Sequence, residues 1–154
     1  MQQYIGVKII EAEPMTDHDF TKTTSRFCSL GPEPLEGYRV VYPDGYVSWS
    51  PKDAFKAYRP ISAMTFGLAI EAMKKGYRVA RKGWNGKGMH LFLMYGKSIQ
   101  SRFTECYGNG IAEETPVVAD SICMYTAQKT VAVGWLASQT DMLAEDWMIV
   151  DGVD

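Results

Sequence analysis

The stretch MTFGLAIEAMKKGYRVAR, residues 64–81, predicts a helix that is followed directly by a strand. Thr65 is suited to cap the helix N-terminus, and the apolar residues after it recur at helical spacing along one face. Gly76 stands where such a helix ends, because glycine adopts the left-handed conformation without strain. Residues 77–81 then alternate as a short strand does. We expect the other elements to pack around this helix.

Short strands flank this unit on both sides. Each is rich in β-branched or aromatic residues and is bounded by turn signals. The predicted strands are residues 4–10, 37–42, 46–49, 89–95, 121–126, 130–133 and 147–150. Residues 43–45 and 128–129 are predicted to close two hairpins. The fold class is therefore α+β, with an antiparallel sheet packed around one main helix and a small N-terminal hairpin module.

The remaining segments are predicted to be short helices or loops. Ser50, followed by Pro51 and Asp53, predicts a helix start, and Ser138 or Thr140 predicts another. Residues 11–34 and 96–120 are predicted to be mostly loop. A proline stop at Pro60 precedes the fresh capping signal of the main helix. We therefore expect a β-rich module at 1–60, of unknown role, and a second domain at 61–154.

The composition excludes several classes of protein. Sixteen Lys and Arg against eighteen Asp and Glu give a net charge of −2, which argues against a duplex DNA binder held by phosphate attraction. No apolar run approaches the roughly 18 residues that a membrane span needs. The N-terminus lacks the charged and apolar regions of a signal peptide. These features predict a soluble, cytosolic protein.

The cysteines and histidines give little support to a metal site or a nucleophile. Cys28, Cys106 and Cys123 are widely spaced, without the paired ligands of a structural zinc site. His18 is typical of an acidic turn, and His90 lies in a predicted strand. We expect free thiols, no metal and no cofactor.

Residues 78–89 carry the densest group of chemically useful side chains. They include two arginines, two lysines, three glycines, one tryptophan and one asparagine. Glycines let backbone N–H groups approach a ligand, cations favour phosphate or carboxylate, and Trp84 offers a flat ring for a base. The spacing matches neither a Walker A loop nor the GxGxxG pattern. A ligand pocket and a glycine-rich hairpin with a solvated cationic rim fit equally well.

Residues 134–147 form a second candidate stretch. Ser138 and Asp141 have the spacing of a capping box, which alone would explain both residues. The alternative is that the same helix N-terminus receives an oxygen or anion of a ligand. Trp135 and Trp147 flank this helix, at positions that are more typical of a core.

Three blocks of the sequence resemble a known family. They are MTFGLAIEA at 64–72, VARKGWNGK at 79–87 and WLASQTDMLAEDW at 135–147. Together they resemble the phage-encoded second Thoeris anti-defence family, and the resemblance covers residues 64–150. Residues 96–120 match none of its patterns. The N-terminal module is similar to a segment that accompanies this domain in some phage proteins, with no implied activity.

The resemblance implies a sponge rather than an enzyme. Such proteins bind cyclic ADP-ribose isomers, such as glyco-cyclic ADP-ribose, that bacterial TIR-domain proteins make, and withhold them from the defence effector without cleavage. Some relatives also capture cyclic dinucleotides. The resemblance further implies a homo-oligomer, a dimer or tetramer, with ligand pockets between protomers. It places the protein in the host cytoplasm, with no membrane, DNA or RNA partner.

The expected ligand-binding set combines both stretches with the main helix. Stacking on a base is assigned to Trp84 and Phe66, although the helical spacing of Phe66 equally suits a core residue. The other members are Arg78, Arg81, Lys82 and Lys87 for the diphosphate, Asn85, Ser138, Thr140 and Asp141 for ribose or the base edge, and Met89. By strand alternation Arg78 and Arg81 point to opposite faces, so at most one enters a given pocket.

The affinity that a sponge needs favours a pocket that encloses the ligand from two sides. A sponge needs nanomolar binding, about −12 kcal/mol. One stacked base contributes about 1–3 kcal/mol, and two or three charge-assisted hydrogen bonds contribute about 1.5–3 kcal/mol each. These terms barely reach the required value before association entropy is subtracted. We expect a neighbouring subunit to enclose the ligand.

Two other functions remain open from the sequence. A hydrolase of a nucleotide messenger would take its general base from Asp141, Glu145 or Asp146, but no second catalytic group accompanies them. A structural or partner-binding phage protein would use its tryptophans only as core.

Overall fold

The computed structural model describes residues 1–3, 6–26, 28, 31–84, 88–107 and 116–150. The chain divides into two compact units, Met1–Arg59 and Pro60–Asp154. Both contain antiparallel sheets together with helices, which confirms the predicted α+β class. In the described ranges, no helix has the length and apolar character needed to cross a membrane.

The first unit is a three-stranded antiparallel sheet with two helices. Its elements are β1 (Glu11–Pro14), α1 (Asp17–Thr24), β2 (Gly37–Val41), β3 (Val47–Pro51) and α2 (Lys52–Phe55). The strand order is β1-β2-β3. Gly45 has a φ of 82° in the turn between β2 and β3, as expected for the glycine of a tight hairpin. The predicted hairpin is confirmed.

Three local predictions in this unit are wrong. Residues 6–10 are not a strand, because β2 pairs instead with Glu11–Pro14; residues 4–5 lie outside the described ranges. The expected loop at 11–34 contains α1, which Thr16 caps and whose Phe20 is buried. Helix α2 starts after Pro51 without a side-chain cap, because Ser50 is paired with Tyr38 in the sheet.

The second unit is a five-stranded antiparallel sheet with three helices. Its elements are α3 (Phe66–Lys74), β4 (Val79–Arg81), β5 (His90–Met94), α4 (Gly96–Tyr107), β6 (Ser121–Tyr125), β7 (Val131–Val133), α5 (Gln139–Met142) and β8 (Trp147–Ile149). The strand order is β7-β6-β5-β4-β8. The short strand β4 thus lies between β5 and β8, which brings residues far apart in sequence next to each other.

Helix α3 is the predicted main helix. The Thr65 hydroxyl accepts a hydrogen bond from the Leu68 N–H at 3.4 Å, and Gly76 follows the helix with a φ of 94°. Its buried side chains pack with buried residues of the sheet. This core consists of Met64, Ala69, Ala72, Met73, Val79, Leu91 and Trp147.

Helix α4 corrects the prediction of a loop over 96–120. Its first residue is Gly96, whose N–H donates to Asp120 Oδ1 at 2.9 Å. The Gln100 side chain accepts from the Val118 N–H at 2.8 Å and donates to the Pro116 carbonyl at 3.0 Å. These contacts fasten the helix to a segment that follows it in the chain. Residues 108–115 lie outside the described ranges.

Replacing Gly96 by alanine is expected to destabilise the protein by about 1–3 kcal/mol. A Cβ at this position would lie 1.8 Å from the Val118 carbonyl oxygen, so the backbone would have to shift. Urea unfolding measures the loss. The matched control is Gly67→Ala within α3, where the nearest atom is 4.0 Å away and alanine is expected to stabilise the helix. Equal effects of the two substitutions would contradict this packing.

Candidate functional site

Four aromatic rings meet in the second unit and form what we call the aromatic cluster: Phe66, Trp84, Trp135 and Trp147. Trp147 is 0% exposed and lies at its base. Its ring centroid is 5.3 Å from that of Phe66, 5.4 Å from that of Trp84 and 6.3 Å from that of Trp135. The three outer rings are half-buried. They therefore keep aromatic surface accessible above a fixed, buried indole.

Backbone and side-chain hydrogen bonds hold the cluster in place. Trp147 exchanges two backbone hydrogen bonds with Met64, just before α3, at 2.7 and 3.1 Å. Its indole N–H donates to the Asp141 carbonyl at 2.9 Å. The Trp135 N–H donates to the Ile122 carbonyl of β6 at 2.8 Å. The rings are thus attached to the helix, the sheet and the segment around α5.

Beside the cluster, one arginine binds two carboxylates, a group we call the Arg81 clamp. Arg81 donates from Nε to Asp146 Oδ1 at 2.9 Å and from Nη1 to Asp141 Oδ1 at 3.0 Å. The second oxygen of Asp146 accepts from the Gly83 N–H at 3.3 Å. The clamp therefore joins β4, the turn after it, helix α5 and the segment between α5 and β8.

The capping box predicted at the start of α5 is confirmed. The Ser138 hydroxyl accepts from the Asp141 N–H at 3.2 Å, and Asp141 Oδ2 accepts from the Ser138 N–H at 3.1 Å. The hydroxyls of Ser138 and Thr140 are 2.8 Å apart and share a hydrogen bond. Both residues are exposed. Asp141 thus serves the cap and the Arg81 clamp at once.

The clamp keeps both carboxylates charged. The hydrogen bond from Arg81 lowers the pKa of Asp146 below its usual value. Burial alone would raise the pKa of Asp141, but hydrogen bonds from Ser138 and Arg81 outweigh burial and lower it. The same contacts, with Asp146 first and Asp141 second, raise the pKa of Arg81. At neutral pH the three groups carry one positive and two negative charges.

Acid is expected to remove the stability that the clamp contributes. A carboxylate whose pKa is lowered on folding stabilises the fold above its unfolded pKa, about 3.9 for aspartate. This contribution is lost as the pH falls below that value and through the lowered pKa of the folded state. Unfolding free energies measured across this range should fall less steeply for Asp146→Asn than for the unaltered chain.

The control for this acid effect is Asp53→Asn, which removes an exposed ion pair with Lys56 in the first unit. We expect it to change the acid dependence little, because exposed pairs are weak. An acid dependence that Asp146→Asn leaves unchanged would contradict a stabilising clamp.

The structure brings together six residues of the expected ligand-binding set. They are Phe66, Arg81, Trp84, Ser138, Thr140 and Asp141. Lys82 is exposed next to them, and its N–H donates to the Asp146 carbonyl at 3.1 Å. Asn85 and Lys87 lie outside the described residues.

Arg78 and Met89 are not among these contacts. Arg78 precedes β4, and its carbonyl accepts from the Val150 N–H, whereas Arg81 ends β4 opposite Trp147. The two arginines are thus at opposite ends of the strand. Met89 is half-buried immediately before β5.

Sequence reasoning missed two members of this site. Trp135 contacts three rings of the cluster, and Asp146 completes the Arg81 clamp. Trp135 was expected to be core, and Asp146 was considered only as a general base. Their common signal is that both belong to the block at 134–147, which also supplies Ser138 and Asp141.

A cavity of about 410 Å³ lies elsewhere, in the first unit, with Tyr38 in its wall. Its polar side chains already pair with each other: Thr16 with Asp19, and Lys52 with Glu36. We therefore take the aromatic cluster, and not this cavity, as the candidate site. Within the ranges that the structure describes, no group of three or more His, Cys, Asp or Glu side chains is arranged to hold a metal ion.

Comparison with known proteins places this site within a family. The model of the Thoeris anti-defense 2-like domain matches residues 64–150, the span over which the sequence resembled that family. Thoeris anti-defense 2 of Bacillus phage SP01 is 46% identical over 87 residues, which cover 56% of this chain and 94% of the relative. The matched span contains the aromatic cluster and the Arg81 clamp. The chain belongs to the Thoeris anti-defense 2-like family and has a phage anti-defence role.

Proposed function

We propose that the second unit binds a cyclic nucleotide immune signal and withholds it from the defence effector without cleaving it. The ligand class is a cyclic ADP-ribose isomer, such as glyco-cyclic ADP-ribose, with cyclic dinucleotides as a second class. The observation that carries the proposal is the aromatic cluster, in which three half-buried rings surround a buried indole beside exposed hydroxyls. The protein would act in the host cytoplasm, where such signals are made.

The contacts divide by chemistry. Trp84 would stack on the base, which contributes about 1–3 kcal/mol, with Phe66 and Trp135 beside it. Ser138 and Thr140 are exposed and would exchange their mutual hydrogen bond for ribose hydroxyls. The exposed ammonium of Lys82 would contact the diphosphate. The roles assigned to Asn85 and Lys87 stay predictions.

Apolar side chains beside this site favour an oligomer with pockets between protomers. Leu136 is 88% exposed and Leu143 is 79% exposed, on either side of the capping box, and Met142 is also exposed. Exposed leucines close to a binding site are typical of a surface that a partner covers. A second copy of the chain would bury them and enclose the ligand.

Replacing Leu136 and Leu143 by aspartate is expected to yield a monomer and to weaken ligand binding by about tenfold or more, since enclosure limits ligand escape. Light scattering measures the mass, and calorimetry measures the affinity. The control is Val117→Asp, which changes a side chain that is also 88% exposed but lies away from the capping box. A monomeric unaltered protein that still binds at nanomolar concentration would contradict an interprotomer pocket.

The clamp argues for binding without cleavage. Asp141 and Asp146, two of the three candidate general bases, are both paired with Arg81, and their pKa values are lowered. An efficient general base at neutral pH needs a pKa near 7. These two carboxylates are therefore poorly suited to hydrolysis.

One experiment separates the three candidate functions. The protein is titrated by calorimetry with cyclic ADP-ribose, its glyco isomer and a cyclic dinucleotide, then incubated with each, heat-denatured and removed. Tight binding and recovery of intact nucleotide support sequestration. A cleaved product supports a hydrolase. If none of the nucleotides binds, the result supports a partner-binding role.

A further inference from the structure

We propose that Arg81 and Asp146 form a positioning pair that holds Trp84 in its binding orientation, and that Arg81 does not contact the anionic part of the ligand. This inference rests on the proposed function of the same site. It changes the role of Arg81 from recognition of the diphosphate to orientation of the stacking ring.

The position of Arg81 explains why its charge is paired with carboxylates of this protein and does not face solvent. Arg81 shares a face of β4 with the fully buried Val79 and is paired across the sheet with Trp147. Its side chain is only 21% exposed, at the edge of the core. Two carboxylates at 2.9 and 3.0 Å compensate the guanidinium there. The trio has a net charge of −1, so a phosphate gains no net attraction from it.

Asp146 connects the guanidinium of Arg81 to the turn that carries Trp84. One carboxylate oxygen binds Arg81, and the other accepts from the Gly83 N–H. The backbone carbonyl of Asp146 accepts from the Lys82 N–H at 3.1 Å, and the Trp84 N–H donates to the Arg81 carbonyl at 3.2 Å. Residues 82–84 are therefore fixed from both sides, by Asp146 and by Arg81.

The same arrangement sets the ring itself. Asp146 is followed directly by Trp147, on which the Trp84 indole packs edge-to-face at 5.4 Å and 76°. A change at Arg81 or Asp146 thus alters both the turn that presents Trp84 and the residue before the indole that supports it. A positioning role follows from these contacts without any ligand contact by either charged group.

The test compares affinities for glyco-cyclic ADP-ribose at about 0.05 and 0.5 M NaCl, because salt screens an exposed contact with phosphate more than a partly buried ion pair. Arg81→Met and Asp146→Asn are each expected to weaken binding about tenfold relative to the unaltered chain, by the same factor at both salt concentrations. A loss for Arg81→Met that shrinks as salt rises would mean that Arg81 contacts the phosphate, and would overturn the proposal.

A double variant tests whether the pair acts through Trp84. If it does, Arg81→Met adds little to the loss already caused by Trp84→Ala, because a variant without the ring has no ring left for Arg81 to orient. Independent losses that multiply would overturn the proposal. Arg102→Met is the matched control, since Arg102 forms an exposed ion pair with Glu105 in α4, and its affinity is expected to equal that of the unaltered chain.

A measurement without ligand separates this inference from the proposed function. The indole N–H signal of Trp84, assigned in a nitrogen-15 NMR spectrum by its loss in Trp84→Phe, should shift in Asp146→Asn and Arg81→Met but not in Arg102→Met. An unshifted signal in a folded Asp146→Asn variant overturns the positioning pair. A shifted signal in a protein that binds no nucleotide supports the pair while refuting the proposed function.

Discussion

The Trp147→Ala variant is expected to lose about 3–5 kcal/mol of unfolding free energy, the range for a large aromatic residue removed from a core. Trp147 is fully buried, contacts the other three rings of the aromatic cluster and donates its indole N–H to the Asp141 carbonyl. Its removal would leave a cavity under Phe66, Trp84 and Trp135. Urea unfolding followed by circular dichroism measures the loss.

Two further variants test the origin of this loss of stability. Trp147→Phe keeps a ring in the core but removes the indole donor, so we expect an intermediate loss of about 1–3 kcal/mol. Leu136→Ala changes a side chain that is 88% exposed and is expected to alter stability by less than about 0.5 kcal/mol. A loss below about 1 kcal/mol for Trp147→Ala would show that the outer rings do not depend on this residue.

The elements that were predicted correctly carry several local signals that agree. Helix α3 has a capping threonine, a regular apolar face and a terminal glycine, and all three are present in the structure. The hairpins of β2 with β3 and of β6 with β7 are closed by turn residues that adopt positive φ, Gly45 and Lys129. Local sequence determines such elements because their stabilising contacts are close in the chain.

The elements that were missed depend on contacts between distant residues. Gln100 and Gly96 hold helix α4 to residues 116–120. The residue spacing within the helix does not indicate these partners. Strand β1 is defined by its pairing with β2, about 27 residues further along the chain. In both cases tertiary contacts outweigh local propensity.

The candidate site divides in the same way. The capping box of Ser138 and Asp141 could be predicted because three residues separate its members. The Arg81 clamp could not, since Arg81 is 60 residues from Asp141 and 65 from Asp146. The sequence therefore predicted six of the residues that gather at the site but missed Trp135 and Asp146, and the pairing of Arg81 with two carboxylates required the structure.

The Trp84→Ala variant is expected to bind the proposed cyclic ADP-ribose ligand about 10–100-fold more weakly, the loss that corresponds to one stacked base. Trp84 is half-buried at the edge of the aromatic cluster, so its removal should cost less stability than that of Trp147. Calorimetry on the folded variant measures the affinity. Trp84→Phe keeps an aromatic face and should retain part of the binding.

The control for Trp84 is another half-buried tryptophan outside the family match, Trp49, whose indole donates to the Met15 carbonyl in the first unit. Trp49→Phe should leave affinity unchanged, because the proposed stacking rings all lie in the second unit. If Trp84→Ala binds as tightly as the unaltered chain, the base does not stack on this ring. The accessible rings of Phe66 and Trp135 would then be the next candidates, since both contact the same buried indole.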